Sequence, residues 1–89
     1  PAEARPPLEA ASPELDVRGR RAEETRAAVR EHVDRAALAG LTQVRIIHGR
    51  GTGALRAAVR EELERHPLVT RIEVAPLNEG GDGATLAHL

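Results

Sequence analysis

His48-Gly49-Arg50-Gly51-Thr52-Gly53 follows directly on the run Val44-Arg45-Ile46-Ile47. The order reads as a buried strand running into a glycine loop that opens a helix. Such a loop gathers backbone N–H groups at a helix N-terminus, where the peptide dipoles favour an anion. Its glycines let the backbone turn sharply and approach a ligand closely. Arg50 adds a fixed positive charge and His48 a group that titrates near neutral pH. An anion site holding both is suited to phosphodiester chemistry. The loop is not a Walker A sequence, because the Gly-Lys-Ser/Thr ending is missing and the chain has no lysine. Nor does it meet the Gly-x-Gly-x-x-Gly spacing of a dinucleotide site. Taken alone, it also fits a plain strand-to-helix turn capped by Thr52.

Positioning this loop requires a small domain built without large anchors. The 89 residues include no Phe, Tyr, Trp, Met or Cys. The core must therefore come from Leu, Ile, Val and Ala, and neither a disulfide framework nor a thiolate metal site is available. No apolar segment reaches membrane-spanning length, and the N-terminus has no signal-peptide pattern. The net charge of −1 conceals an asymmetry: residues 16–60 carry +5 and the remainder −6. The positive half contains the glycine loop, which suits an anionic partner. Every basic residue other than histidine is arginine, whose fork pairs with phosphate oxygens. Base stacking on aromatic rings is closed to this chain, so nucleic-acid contacts must run through phosphates, guanidinium planes or groove shape.

Residues 1–13 are rich in Pro, Ala and Glu and read as a flexible linker; residues 14–89 form the domain. Glu14 to Arg18 alternates, with Leu15 and Val17 on one face and Asp16 and Arg18 on the other. Arg21 to Ala39 is predicted helical, with Ala22, Val29, Val33 and Ala36 along its inner face and Gly40 as its stop. Gln43 to His48 is a second strand. Gly53 to Arg65 is a second helix, with Leu55, Ala58, Val59 and Leu63 inward and His66-Pro67 as its end. Thr70 to Ala75 is a third strand, with Ile72 and Val74 inward. Asn78 to Gly83 is a glycine-rich loop and Ala84 to Leu89 a last strand. His32, His66 and His88 read as helix-surface, helix-end and tail residues.

The predicted fold class is α/β: a two-layer β-α-β-α-β-β sandwich, with a four-stranded mixed sheet and both helices on one face. Strands alternating with helices imply parallel pairing through right-handed crossovers. The polar row Asp16, Arg18, Arg71 and Glu73, joined by Arg45, marks the sheet face without helices. The last strand follows a short connection and should run antiparallel to the third, either at the edge or between strands two and three. Parallel strands one to three then deliver Arg18-Gly19, His48 to Gly53 and Asn78 to Gly83 to one edge, where open α/β sheets bind ligands.

Leu15-Asp16-Val17-Arg18-Gly19 resembles the Leu-Asp-Leu-Arg-Gly motif of the Smr (small MutS-related) domain family. His48-Gly49-Arg50-Gly51-Thr52-Gly53 resembles its His-Gly-x-Gly-x-Gly motif, and Glu79-Gly80-Gly81-Asp82-Gly83-Ala84-Thr85 its third glycine signature. The three occur in family order and cover the chain from Leu15 onward. Val17 stands where Leu is usual and Arg50 where Lys is common. The resemblance implies a fold like the C-terminal domain of translation initiation factor three. It implies nicking endonuclease activity on DNA, or cleavage of structured RNA, with little sequence preference. It also implies a cytoplasmic setting within a larger MutS-like chain acting in suppression of recombination, DNA repair or ribosome rescue.

Against that background His48 is the candidate for proton transfer, as general base toward water or general acid toward the leaving oxygen. Its other reading is a structural histidine closing the turn. Arg18 would neutralise transition-state charge, and Arg50 would also bind substrate. Asp16 could orient His48, hold a metal, or make a buried hydrogen bond that fixes the loops. Glu79 is a second candidate base. Phosphate contacts are expected from Arg50, Arg20 and Arg45, from Thr52, and from the backbone of Gly49, Gly51 and Gly53. No cofactor is firmly implied, since no metal-ligand spacing is present; magnesium or manganese could sit loosely on Asp16 and substrate oxygens. The alternative function is a non-catalytic nucleic-acid-binding module.

Overall fold

Alternation, helix stops and turn chemistry produce six regular elements in the computed structural model, which describes residues 12–89. Most of the expected linker lies outside the described residues. The elements are β1 (Glu14–Asp16), α1 (Ala22–Leu38), β2 (Gln43–Ile47), α2 (Ala54–Arg65), β3 (Arg71–Val74) and β4 (Ala84–His88), with two 3-10 turns, Leu77–Glu79 and Gly81–Gly83, between β3 and β4. The ladder begins before Glu14, because the Arg45 N–H donates to the Pro13 carbonyl at 2.7 Å. Arg18 lies beyond the strand in the turn that follows it.

The sheet order is β1-β2-β4-β3. β1 pairs parallel to β2, with Leu15 opposite Ile46, while β4 runs antiparallel to both β2 and β3. Of the two places open to the last strand, it takes the one between strands two and three. Strands β1, β2 and β3 are therefore parallel, and their C-terminal ends share one edge.

Helix α1 opens with Glu23 and Glu24 in its first turn, where the dipole favours acids, and the Arg21 N–H donates to Glu24 Oε1 at 3.2 Å. It closes in a Schellman turn: Leu41 N–H reaches the Ala36 carbonyl at 2.9 Å and Gly40 N–H the Ala37 carbonyl at 3.0 Å. Both helices pack on the sheet face carrying Val17, Val44, Ile46 and Ala87, and Val29, Val33, Ala36, Val59 and Leu63 complete the core. Ile46 and Leu63 are the largest fully buried side chains. Burying each such residue stabilises the fold by about 1.5–3 kcal/mol, so an all-aliphatic core suffices if packing is close. A polar seam runs along the helix pair: Arg26 to Glu61 at 2.7 Å, Arg30 to Glu62 at 3.0 Å, and His66 Nε2 to Asp34 at 2.7 Å. Both partner lists ascend together, as two parallel helices require.

Several inward expectations need correction. Ala22 is exposed, and the inner face of α1 instead carries buried Thr25 and His32. His32 is therefore a buried residue and not a surface one. Val74 points to the helix side but is 40% exposed, because β3 is an edge strand with a neighbour on one side alone. Leu55 is half-buried at the start of its helix, while Glu62 is buried and stabilised by Arg30. His88 belongs to β4, where it bonds Glu73 at 2.5 Å. The sheet face without helices is also not wholly polar. Ala75, Ala84 and Leu86 form a small buried cluster with Ile47, beneath the turns that link β3 to β4. No helix among the described residues is long and apolar enough to cross a membrane.

Candidate phosphate-binding edge

The loops leaving β1, β2 and β3 meet where the parallel strands end. Gly83 carbonyl accepts from both His48 N–H at 3.0 Å and Gly49 N–H at 2.9 Å, tying the second loop to the third. Val17 N–H donates to the Ile47 carbonyl at 2.9 Å, tying the first to the second. The Arg18 side chain lies against Gly49, its Cγ 3.3 Å from where a Cβ would stand, and Gly49 has φ +78°. Only glycine meets both conditions without strain. Arg50 crosses to the third loop, its Nη2 3.4 Å from the Cβ position of Gly81. Arg50, Gly51, Thr52, Gly53, Arg56 and Asp82 line an open pocket of about 310 Å³.

This pocket lies at the N-terminus of α2, whose first turn holds no acidic residue. The N-cap is Gly53 and not Thr52 as expected; Thr52, one residue earlier, accepts from Ala54 N–H through Oγ1 at 3.3 Å. The other first-turn N–H groups have no intrahelical partner, as helix geometry requires. The contrast with α1 is chemical: α1 satisfies its dipole with Glu23 and Glu24, whereas α2 carries Arg56 there. A cation at the positive end of a helix is locally unfavourable, and an incoming anion relieves it. Neither Arg50 nor Arg56 pairs with a carboxylate among the described residues.

His48 directly follows β2, one residue beyond the strand expected to include it, and is 5% exposed on the helix side of the sheet. Its Nδ1 lies 2.8 Å from the Gly49 carbonyl, which can only accept, so the proton sits on Nδ1. Nε2 is then the acceptor for the Thr85 hydroxyl at 2.9 Å. Burial pushes the His48 pKa down; the Gly49 carbonyl works against that, and Arg56 and Arg60 add to it. The ring is neutral at pH 7, with both nitrogens engaged.

Asp16 does not orient His48. Side-chain alternation puts it on the open face, whereas His48 lies on the helix side. Its hydrogen bonds do fix a loop, yet they are exposed. Arg18 N–H and Nε each donate to Oδ1 at 3.0 Å, and Nη2 donates to Oδ2 at 2.7 Å. The Arg18 guanidinium holds the Asp16 carboxyl down to about 2. Arg20, in the same turn, is exposed and lowers it further. Both Asp16 oxygens are taken by Arg18, and no three metal-ligating side chains cluster among the described residues. The donor set does not form a protein cage for a divalent ion.

Arg45 and Glu79 sit apart from this edge. Arg45 pairs with Glu14, and its Nη1 donates to the Glu79 backbone carbonyl at 2.9 Å. Both line a separate pocket on the open face with Pro13, Glu14, Gln43 and Val44. Arg45 braces the third loop from there. Sequence reasoning missed Arg56 and Arg60, which flank His48 one turn apart on α2. The missing acid in that first turn, with Arg56 in its place, was the signal.

Comparison with known proteins shows the family and the fold. The family model of the Smr domain matches residues 15–89. The chain belongs to the Smr domain family. The crystal structure of the Smr domain of Thermus thermophilus MutS2 superposes with a TM-score of 0.81 at 41% identity, over 84% of this chain and 94% of that one. YdaL, a stand-alone small MutS-related protein from Escherichia coli, gives a TM-score of 0.82 at 29% identity, over 91% of this chain and 65% of that one. No curated protein matches the chain. The Smr fold, two helices on a four-stranded mixed sheet, is the one expected from sequence.

Proposed function

We propose that this Smr domain is a nicking endonuclease module that grips a nucleic-acid phosphate at the three-loop edge and acts within a larger MutS-like protein, with little sequence preference. One observation carries the reading: Arg50 and Arg56, neither of them in an ion pair among the described residues, line the pocket at the N-terminus of α2, whose own first turn has no acid; Asp82 is the one carboxylate lining it, and Arg18 packs on the adjoining Gly49. Two guanidinium forks and first-turn N–H groups converge where a phosphate would bind and where a pentacovalent transition state would gain charge. Arg18 is restrained by Asp16, which supplies preorganisation. The neutral His48 has its basic lone pair on Nε2, and a base role requires the Thr85 hydroxyl to turn away from it.

The engagement of both His48 nitrogens favours a second reading, a docking module in which His48 only shapes the loop. Supercoiled plasmid and structured RNA, incubated with purified domain with and without EDTA, separate the two. Under the nuclease reading, Arg50→Ala/Arg56→Ala loses nicking and lowers the slope of log affinity against log salt by about two. His48→Gln, checked for folding by thermal melting, loses about 10²–10⁴-fold in rate with binding retained. Salt-dependent binding without nicking by the wild type establishes the docking module. Binding indifferent to salt and to both arginines overturns both readings.

A further inference from the structure

Leu77 opens the first 3-10 turn after β3 and is 91% exposed. The turn that carries it is nevertheless held by hydrogen bonds to its backbone. Glu79 and Gly81 N–H groups both donate to the Pro76 carbonyl, at 2.8 and 2.9 Å, and Arg45 holds the Glu79 carbonyl. Leu77 Cδ2 stands 3.4 Å from the Cβ position of Gly81, and Arg50 Nη2 stands at the same distance from that point. The two tips are therefore separated by at most twice that length. A braced, solvent-facing leucine beside an unpaired arginine joins an apolar group to a phosphate ligand. The chain has no aromatic residue to stack on a base, so besides the guanidinium planes the exposed apolar surface at this edge is aliphatic. Two other exposed leucines, Leu38 and Leu68, line a groove with Asp34 and Ala37, whose lining holds no arginine to grip a phosphate.

We propose that Leu77 is a wedge. When Arg50 holds a backbone phosphate, Leu77 enters the neighbouring base step and is buried between the bases. Aliphatic side chains open base steps in this way and kink the duplex. The cost is lowest where stacking is already weak, so the preferred substrate class is a DNA duplex interrupted by a gap or mismatch. The inference rests on the phosphate-gripping reading above and specifies its substrate.

The test uses two labelled duplexes, one fully paired and one with a single-nucleotide gap and 2-aminopurine beside it. Burying one leucine is worth roughly ten- to a hundredfold in affinity, so anisotropy should show the wild type preferring the gapped duplex by at least tenfold. Binding should raise 2-aminopurine fluorescence as the base unstacks. Leu77→Ala should bind the paired duplex within about twofold of wild type yet lose both the preference and the fluorescence rise, and Leu77→Phe should keep them. Wild-type binding without preference, or Leu77→Ala behaving as wild type, overturns the wedge and leaves the phosphate grip standing. No wild-type binding to either duplex at low salt overturns the grip and the wedge together.

Discussion

Thr85→Val tests how tightly the His48 loop is tied to the sheet. Thr85 is 1% exposed, and its hydroxyl is the donor to His48 Nε2 at 2.9 Å. Valine keeps the branched shape but removes that donor, leaving a buried ring nitrogen dry. An unsatisfied buried acceptor costs about 1–3 kcal/mol. The added methyl returns about 0.8 kcal/mol if it packs against its neighbours. A net loss of about 0.2–2.2 kcal/mol lowers Tm by roughly 1–18 °C in a domain of this size. Far-ultraviolet circular dichroism reads the melt, since a chain without Trp or Tyr offers no intrinsic fluorescence. Nitrogen-15 spectra of the ring should show the proton on Nδ1 in the wild type and its hydrogen bond at Nε2 lost in the variant. A Tm within about 1 °C of wild type, with unchanged ring signals, would refute the claim that Thr85 fixes His48.

Acid should destabilise the domain from the histidine range downward. Burial depresses His48 and His32, so below about 6.5 the unfolded chain binds protons that the folded state refuses. Their contribution is complete above that value and is lost as pH falls toward the lowered folded values; a urea midpoint no lower at pH 5 than at pH 7.5 contradicts this. Arg18→Ala should move the Asp16 carboxyl from about 2 back toward its ordinary 3.8, followed by carbon-13 titration; an unmoved midpoint means that Arg18 is not the cause. Gly80→Ala should destabilise by about 1–3 kcal/mol through backbone strain alone. Its φ is +114° and the new Cβ would stand 2.8 Å from Ala84 Cβ, so an unchanged melt argues against this turn geometry.

Most of the fold was legible because its signals are local. Alternation at Leu15 and Val17, the Gly40 stop and the loop at Gly49 to Gly53 each act within a few residues. The polar row on Asp16, Arg71 and Glu73 told which sheet face the helices leave open. What was not legible depends on partners distant in sequence. His32 and Glu62 carry polar side chains that periodicity counts as outward, yet helix packing buries them. The edge position of β3 exposes Val74, and strand order has no local signature. The same limit applies to the site. Arg18, His48 and Arg50 could be named from their loops. That Thr85 caps His48, thirty-seven residues away, and that Arg45 is occupied by Glu14 and Glu79, required the sheet register.

The central place of β4 has a consequence for how this chain is made. β4 spans Ala84–His88 and supplies a ladder to β2 on one side and to β3 on the other. Until those residues leave the ribosome, β3 has no strand to join, and β2 has β1 alone. Nor can the Gly83 carbonyl reach the amides of His48 and Gly49. Emerging helices have no finished sheet to pack on, so folding must await synthesis through His88 and then close contacts far apart in the chain, which is slow. A chain cut short before Ala84 loses both ladders at once. Translation that stalls there leaves β3 unpaired and one edge of β2 open, a species prone to aggregate and suited to removal by proteases.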